Sequence, residues 1–242
     1  MIQSLNIGLN YRHSPNALGG CENDAKGYAQ RFKKSGAEIA DRWGETYTAE
    51  RLFADLEYLA GRATATTRTI VTYSGHGTEF PDFTKPSGMG QGICLWDGRH
   101  IQVVDDTYFS DAIRRIPGSV FVILDSCYAG GMDRNALKPG MKRRCVEYNA
   151  DTMRFWVPEP ESRLPVLEPV SNKIYWMFAC QENEVSWDTG EFGWFSLNFF
   201  AAYDNSRTRP IQKIMGKTTF ACKPDQAPRH KCDGGTSLKY IP

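Results

Sequence analysis

Apolar and polar positions along the chain alternate between a period of two and a period near 3.6. IQSLNIGL (2–9) reads as a first strand, and the polar loop RHSPNALGG leads into a helix over 22–35. Ala25, Tyr28, Ala29 and Phe32 form its apolar stripe, with Gly36 as the stop. A short strand AEIADRW follows. Thr48 then caps a second helix that carries Leu52, Leu56, Leu59 and Ala60 on one face and ends at Gly61. The stretch from Thr69 to Tyr73 is rich in β-branched and aromatic residues and reads as a strand running into SGHG.

Farther on, GICLWDGRHIQVV holds two apolar runs around Asp97-Gly98, the signal of a tight hairpin. Phe109, Ala112, Ile113 and Ile116 recur at helical spacing, and Pro117-Gly118 ends that helix. SVFVIL (119–124) enters DSCYAGG, KIYWMFA (173–179) enters CQENE, and FGWFSLNFFAAY (192–203) reads as a mostly buried helix. Residues 132–170 lack a sustained period and read as a surface excursion, while the tail after Lys217 is too irregular to assign. Strands alternating with amphipathic helices imply an α/β fold, with a mainly parallel sheet covered by helices on both faces. Ligands of such sheets gather outside the carboxyl ends of the strands, where SGHG, DSCYAGG and CQENE lie.

Composition narrows this picture. A chain of 242 residues, 41% hydrophobic, suits one domain over 1–242, with a first region 1–131, the excursion 132–170 and a last region 171–242. The formal charge of +1 supplies no global field for nucleic acid or an anionic membrane, so neither is expected as a partner. No window approaches the roughly 18 apolar residues of a membrane span, and MIQSLNIGLNY has no signal-peptide pattern, so a soluble cytoplasmic protein is expected. Seven cysteines without CxxC spacing suit reduced thiols better than a disulfide framework.

Among them Cys127 stands out. His76 lies 51 residues before it, room for a hairpin and a crossover helix, so both residues can sit at one rim on neighbouring strands. An imidazole favours the thiolate form of a cysteine and later protonates a leaving amine. Glycines beside the histidine allow close backbone approach and leave amides free for a developing oxyanion. The chemistry expected is acyl transfer.

SGHG and DSCYAGG in this order resemble the caspase-like cysteine peptidases, and more closely the metacaspases of peptidase family C14. GLNY, GCENDA, the pair Asp105-Asp106 and ACQENEVSWD extend the likeness over residues 2–205, although the caspase pentapeptide Q-A-C-x-G is absent. The resemblance implies a three-layer caspase-like fold and a cysteine endopeptidase. In it His76 is base and acid, Cys127 is the nucleophile, and the amides of Gly77 and Cys127 form the oxyanion hole. It also implies a pocket built from Cys21, Asp24, Ser74 and Asp125 that takes Arg or Lys. Two confined carboxylates favour such a cation, and Arg offers the better fork. Asp188, in EVSWD, reads as a loop carboxylate with the pocket rim as its alternative.

Many metacaspases bind calcium, and Asp105 and Asp106 match the paired aspartates of that site. Here the acidic stretch after the histidine is reduced to Glu79 and Asp82, with Asp133 after the nucleophile, so the site looks incomplete, and helix capping is an equal reading of the pair. The basic run from Lys138 to Arg144 is open to three readings: a solvated loop, a self-cleavage site, or a mimic of substrate that blocks the pocket. Cys222, His230 and Cys232 lack zinc spacing. Expected partners are proteins or peptides with Arg or Lys at the cleaved bond, and the expected state is a monomer or weak dimer. Two other readings compete with the peptidase. One is a catalytically latent caspase-like module acting in binding or regulation, the other a thiol enzyme of different chemistry.

Overall fold

The computed structural model describes the whole chain apart from residue 45 and residues 128–138, 158–172, 182–183 and 234–239. In chain order the elements are β1 (Ile2–Leu9), α1 (Cys21–Lys34), β2 (Glu38–Gly44), α2 (Ala49–Arg62), β3 (Arg68–Ser74), β4 (Gly77–Pro81) and β5 (Met89–Trp96). Next come β6 (Ile101–Asp105), α3 (Asp106–Arg114), β7 (Ser119–Asp125), β8 (Lys142–Arg143), β9 (Met153–Phe155) and β10 (Lys173–Phe178). The last are β11 (Trp187–Asp188), α4 (Trp194–Asp204), α5 (Ile211–Cys222) and β12 (Arg229–Asp233).

Six strands form the central sheet in the order β12-β10-β7-β3-β1-β2. All neighbours are parallel except β12, which runs antiparallel to β10 at the edge. Alternation along each inner strand sends residues to two cores. Val71, Tyr73, Val120, Val122, Leu124, Ile174 and Trp176 meet the faces of α2 and α3 through Leu52, Leu56, Phe109 and Ile113. Ile70, Phe121, Ile123, Tyr175 and Met177 meet α1, α4 and α5 through Tyr28, Phe32, Phe195, Phe199 and Ile214. With both faces covered, the inner strands are almost wholly apolar, as parallel sheets require. Three layers result, as expected.

Most boundaries fall where the periodicity places them. Thr48 caps α2 by accepting a hydrogen bond from the Arg51 amide, but the helix runs through Gly61 to Arg62, since a glycine in a helical conformation does not itself stop a helix. The Asp97-Gly98 loop holds four residues, because the Asp97 carboxylate collects the amides of Arg99 and His100 and closes a wider turn. A second sheet, β4-β5-β6-β9, lies beside the first, and β8 pairs with β11. The segment read as a surface excursion is therefore structured in part: β9 joins the second sheet, β8 pairs with β11, and Arg144 and Val146 are buried.

Candidate active site

Parallel pairing of β3 with β7 sets Ser74 opposite Asp125. His76 and Cys127 each lie two residues beyond that pair, so the register brings both to one rim. The His76 main chain is held from both sides. Its N–H donates to the Tyr11 hydroxyl at 2.9 Å, and its carbonyl accepts from the Tyr73 hydroxyl at 2.6 Å and the Cys94 amide at 3.0 Å. The ring packs on Tyr11 with centroids 4.7 Å apart. Nε2 lies 2.7 Å from the Asn16 carbonyl oxygen, which can only accept, so Nε2 carries the hydrogen and the Nδ1 lone pair is left without a hydrogen bond. Burial pulls the imidazole pKa down to about 4, against the stabilising contact with Asn16, so the ring is neutral at neutral pH.

Cys127 is fully buried, with its Sγ accepting the Ser186 amide at 3.0 Å and lying 3.5 Å from the Ser186 carbonyl oxygen. Burial, then hydrogen bonds with Cys145 and Cys180, push its thiol pKa well up, so the thiol is protonated in this state. Next to it, Gly77 has no room for a side chain: a Cβ there would stand 1.7 Å from the Cys127 carbonyl oxygen. That close approach lets the amides of Gly77 and Cys127 converge on a single point.

The point is occupied by the chain itself. The Arg144 carbonyl oxygen accepts from the Gly77 amide at 3.0 Å and from the Cys127 amide at 3.2 Å. Upstream, Lys142 and Arg143 pair antiparallel with Asp188 and Trp187, and the Arg144 amide donates to the Ser186 carbonyl at 3.0 Å. Residues 142–144 thus lie extended along β11, with the Arg144 carbonyl on the Cys127 amide and Cys145 packed against the cluster that holds Cys127. Two N–H donors on a carbonyl oxygen polarise it and favour nucleophilic addition at its carbon.

The Arg144 side chain, wholly shielded from solvent, enters a pocket of three carboxylates. Its Nη2 lies 2.7 Å from Asp24 and 3.0 Å from Asp188, and its Nη1 lies 3.0 Å from Asp125 and 2.7 Å from the Ser74 hydroxyl. Each carboxylate is anchored independently. Ser74 and the Gly193 amide bond to Asp24, the hydroxyls of Ser186 and Ser196 to Asp125, and the amides of Gly20 and Gly190 to Asp188. Gly193 leaves the wall open, as a Cβ there would meet Asp125 at 2.2 Å and Arg144 at 2.4 Å. Burial pushes the Asp24 carboxyl up to about 7, while Arg144 and backbone amides hold Asp188 below the usual range despite its burial. Three acids around one base favour a cation strongly.

Asp24, Ser74 and Asp125 therefore surround one guanidinium, as the sequence reading grouped them. Cys21 lies behind the pocket, its Sγ 3.8 Å from Asp188. Asp188, read from sequence as a loop carboxylate, is instead a fully buried wall of the pocket, because β11 turns it inward opposite β8. The buried Arg144 rules out the solvated-loop reading for its end of the basic run, whereas Lys138 lies outside the described residues. Sequence reasoning missed the Asn16 carbonyl, Ser186, Ser196 and Gly193, and only the run of three basic residues hinted at Arg144. Asp105 and Asp106 are far more local in role. Asp105 caps α3 through the Thr107 amide, and Lys85 Nζ lies 3.4 Å from Asp105 and 2.7 Å from Asp106. An ammonium thus takes the place a cation would hold, Glu79 bonds to Gln91 and Asp82 to Thr84. No group of three or more His, Cys, Asp or Glu among the described residues is arranged to hold a metal, and Asp133 lies outside them. As arranged, these residues do not fit calcium, which takes 6–8 oxygens.

A cysteine and a histidine at the carboxyl rim of a three-layer parallel sheet, beside an acidic pocket, define a caspase-like architecture. Residues 4–237 match the caspase domain of the peptidase C14 family, and the chain belongs to that family. Among curated proteins it is similar to metacaspase-1 of Schizosaccharomyces pombe, 25% identical over 144 residues that cover 53% of this chain and 34% of the relative. It is also similar to metacaspase-9 of Arabidopsis thaliana, 28% identical over 141 residues covering 52% and 42% of the two chains. The matched stretch thus spans less than half the length of either relative. Among solved structures, a Geobacter sulfurreducens protein superposes with a TM-score of 0.81 at 22% identity, covering 100% of this chain and 97% of its own. Caspase-1 from Spodoptera frugiperda superposes with a TM-score of 0.59 at 12% identity, covering 96% and 85%. At these identities the likeness is one of fold. Among the described residues no helix is long and apolar enough to cross a membrane.

Proposed function

We propose that the protein is a cysteine endopeptidase that cleaves polypeptides after Arg, and less well after Lys, through a Cys127/His76 dyad. The observation that carries this reading is Arg144, seated with its guanidinium among Asp24, Asp125 and Asp188 and its carbonyl oxygen between the amides of Gly77 and Cys127. His76, with hydrogen on Nε2 and a free Nδ1, takes the Cys127 proton. The sulfur adds to the carbonyl carbon, the two amides stabilise the oxyanion, and the imidazolium protonates the departing amine. Water then attacks the thioester with His76 as base, releasing the acid and restoring the thiol.

In the state described here the chain's own Arg144–Cys145 bond fills the place of substrate, so the protein is latent and its first substrate is itself. Cleavage leaves an N-terminal Cys145 and frees the pocket. The metacaspase-like reading extends to protein substrates with a basic residue at the cleaved bond. Hydrolysis of fluorogenic peptides ending in Arg, Lys or Asp tests it, comparing protein incubated until cut, Arg144→Ala and Cys127→Ala. Activity in the order Arg, Lys, then none for Asp, with the Cys127→Ala protein silent, is expected. Preference for Asp contradicts the pocket assignment, and turnover by Cys127→Ala contradicts the dyad. Added calcium forms a separate arm, with Asp105→Asn as its control.

A further inference from the structure

Cys127 is not the only thiol at the bond it faces. Cys145, the residue just past the Arg144 carbonyl, packs against the cluster of Cys127, Val185 and Trp187. The backbones of the two cysteines are one hydrogen bond apart, since the Cys127 amide donates to the Arg144 carbonyl at 3.2 Å, and Cys145 bridges to Gly77 on the other side. Each thiol acts on the other's ionisation, Cys145 raising that of Cys127 and Cys127 lowering that of Cys145. All seven cysteines are unbridged here. We propose that Cys127 and Cys145 form a reversible disulfide when the protein meets a peroxide, a bond that locks the segment carrying Arg144 into the site.

Accessibility sets the order of events. Cys127 is fully buried, whereas Cys145 is part-exposed and so is the thiol a small oxidant reaches first. The neighbouring Cys127 thiol, then the charge of Arg143, hold the Cys145 thiol below its ordinary range against its partial burial, which favours the thiolate that attacks peroxide. The Cys145 thiolate takes one peroxide oxygen, becoming a sulfenic acid, as the O–O bond breaks and hydroxide or alkoxide departs. The Cys127 thiol then attacks that sulfur, the S–S bond forms, and the hydroxyl leaves as water with the thiol proton. Two thiols lose two electrons and the peroxide gains them. Cys180, which also raises the Cys127 thiol pKa, lies buried with its Sγ 3.7 Å from the Ser126 carbonyl, out of the oxidant's first reach.

The bond itself is argued from the packing of Cys145 against the Cys127 cluster and the backbone contact beside it. Its consequence, a protein that neither cuts itself nor admits substrate until reduced, rests on the proposed role of Cys127. The test treats the full chain with hydrogen peroxide, alkylates free thiols, digests without reduction and maps linked peptides by mass spectrometry. A Cys127–Cys145 peptide, reversed by dithiothreitol, retained in Cys180→Ser and lost in Cys145→Ser, is expected. A Cys127–Cys180 link, or Cys127 carried to sulfinic acid with no link, overturns the proposal. Self-cleavage is followed in parallel: loss after peroxide and recovery on reduction supports the lock. The linked peptide in a protein that never cuts itself supports the bond and refutes the peptidase reading.

Discussion

At the scale of single residues, Arg144 and Asp188 decide the account. A guanidinium with three anchored carboxylates is held as a substrate side chain would be, so substitutions here alter recognition before they alter the fold. Arg144→Ala is expected to abolish cleavage at its own bond and to turn over Arg peptides without that cut, whereas Arg144→Lys is cut more slowly, having one point charge in place of a fork. Band patterns on denaturing gels over time check both. Asp188→Asn, removing one of three partners of a buried cation, is expected to lower kcat/KM for Arg peptides by about a hundredfold, corresponding to roughly 3 kcal/mol. An unchanged value would mean that Asp188 does not hold the guanidinium of the substrate. Cys127 and His76 were legible from their places at strand ends and the spacing between them, whereas Asp24, Ser74 and Asp125 were grouped only by the resemblance to the metacaspases. Asp188 was legible only as the weaker of two readings, and Arg144 only as one of a basic run with three readings, since a lone aspartate after a tryptophan and one arginine in such a run carry no mark of where they fold. Asn16 contributes only a backbone carbonyl, which no side-chain pattern can reveal.

Elements explain how those residues meet. The register of β3 against β7 carries His76 and Cys127 to one rim, and Gly77 lets the strand that follows pass against Cys127. Gly77→Ala would drive a Cβ into the Cys127 carbonyl, so loss of self-cleavage and a destabilisation of about 1–3 kcal/mol are expected, measured by urea unfolding. A fully active, equally stable Gly77→Ala protein would mean that the two amides do not act together. Strands with apolar runs and helices with a clear stripe were readable from sequence, as with Ala25, Tyr28, Ala29 and Phe32, all buried on α1. β12 was not: RHKCD has one apolar residue in five, because an edge strand lies partly in solvent and needs no core face. β8 and β11, two residues each, exist only through each other, and no local pattern announces so short a pair.

In the molecule as a whole, a buried neutral histidine, a protonated thiol and a pocket filled by Arg144 occur together. Burial of His76 links folding to pH with a defined sign. The unfolded imidazole binds its proton near 6.5 and the folded one only near 4, so the unfolded chain gains protons first as pH falls between those values. Stability from this group is complete above 6.5 and declines toward 4, by roughly 3 kcal/mol in all. In a Cys127→Ala background, which keeps the chain intact, urea unfolding across that range is expected to show a steeper decline than in the same protein with His76→Asn. Parallel curves would mean that the ring binds its proton as readily in the folded state as in the unfolded one. The central claim, that Arg144–Cys145 is held as a substrate, is tested most directly by incubating the wild-type and Cys127→Ala proteins under reducing conditions and sequencing any new N-terminus. A fragment beginning at Cys145 in the wild type alone is the predicted result, while a wild-type chain that stays whole, or is cut only at other bonds, would contradict the account.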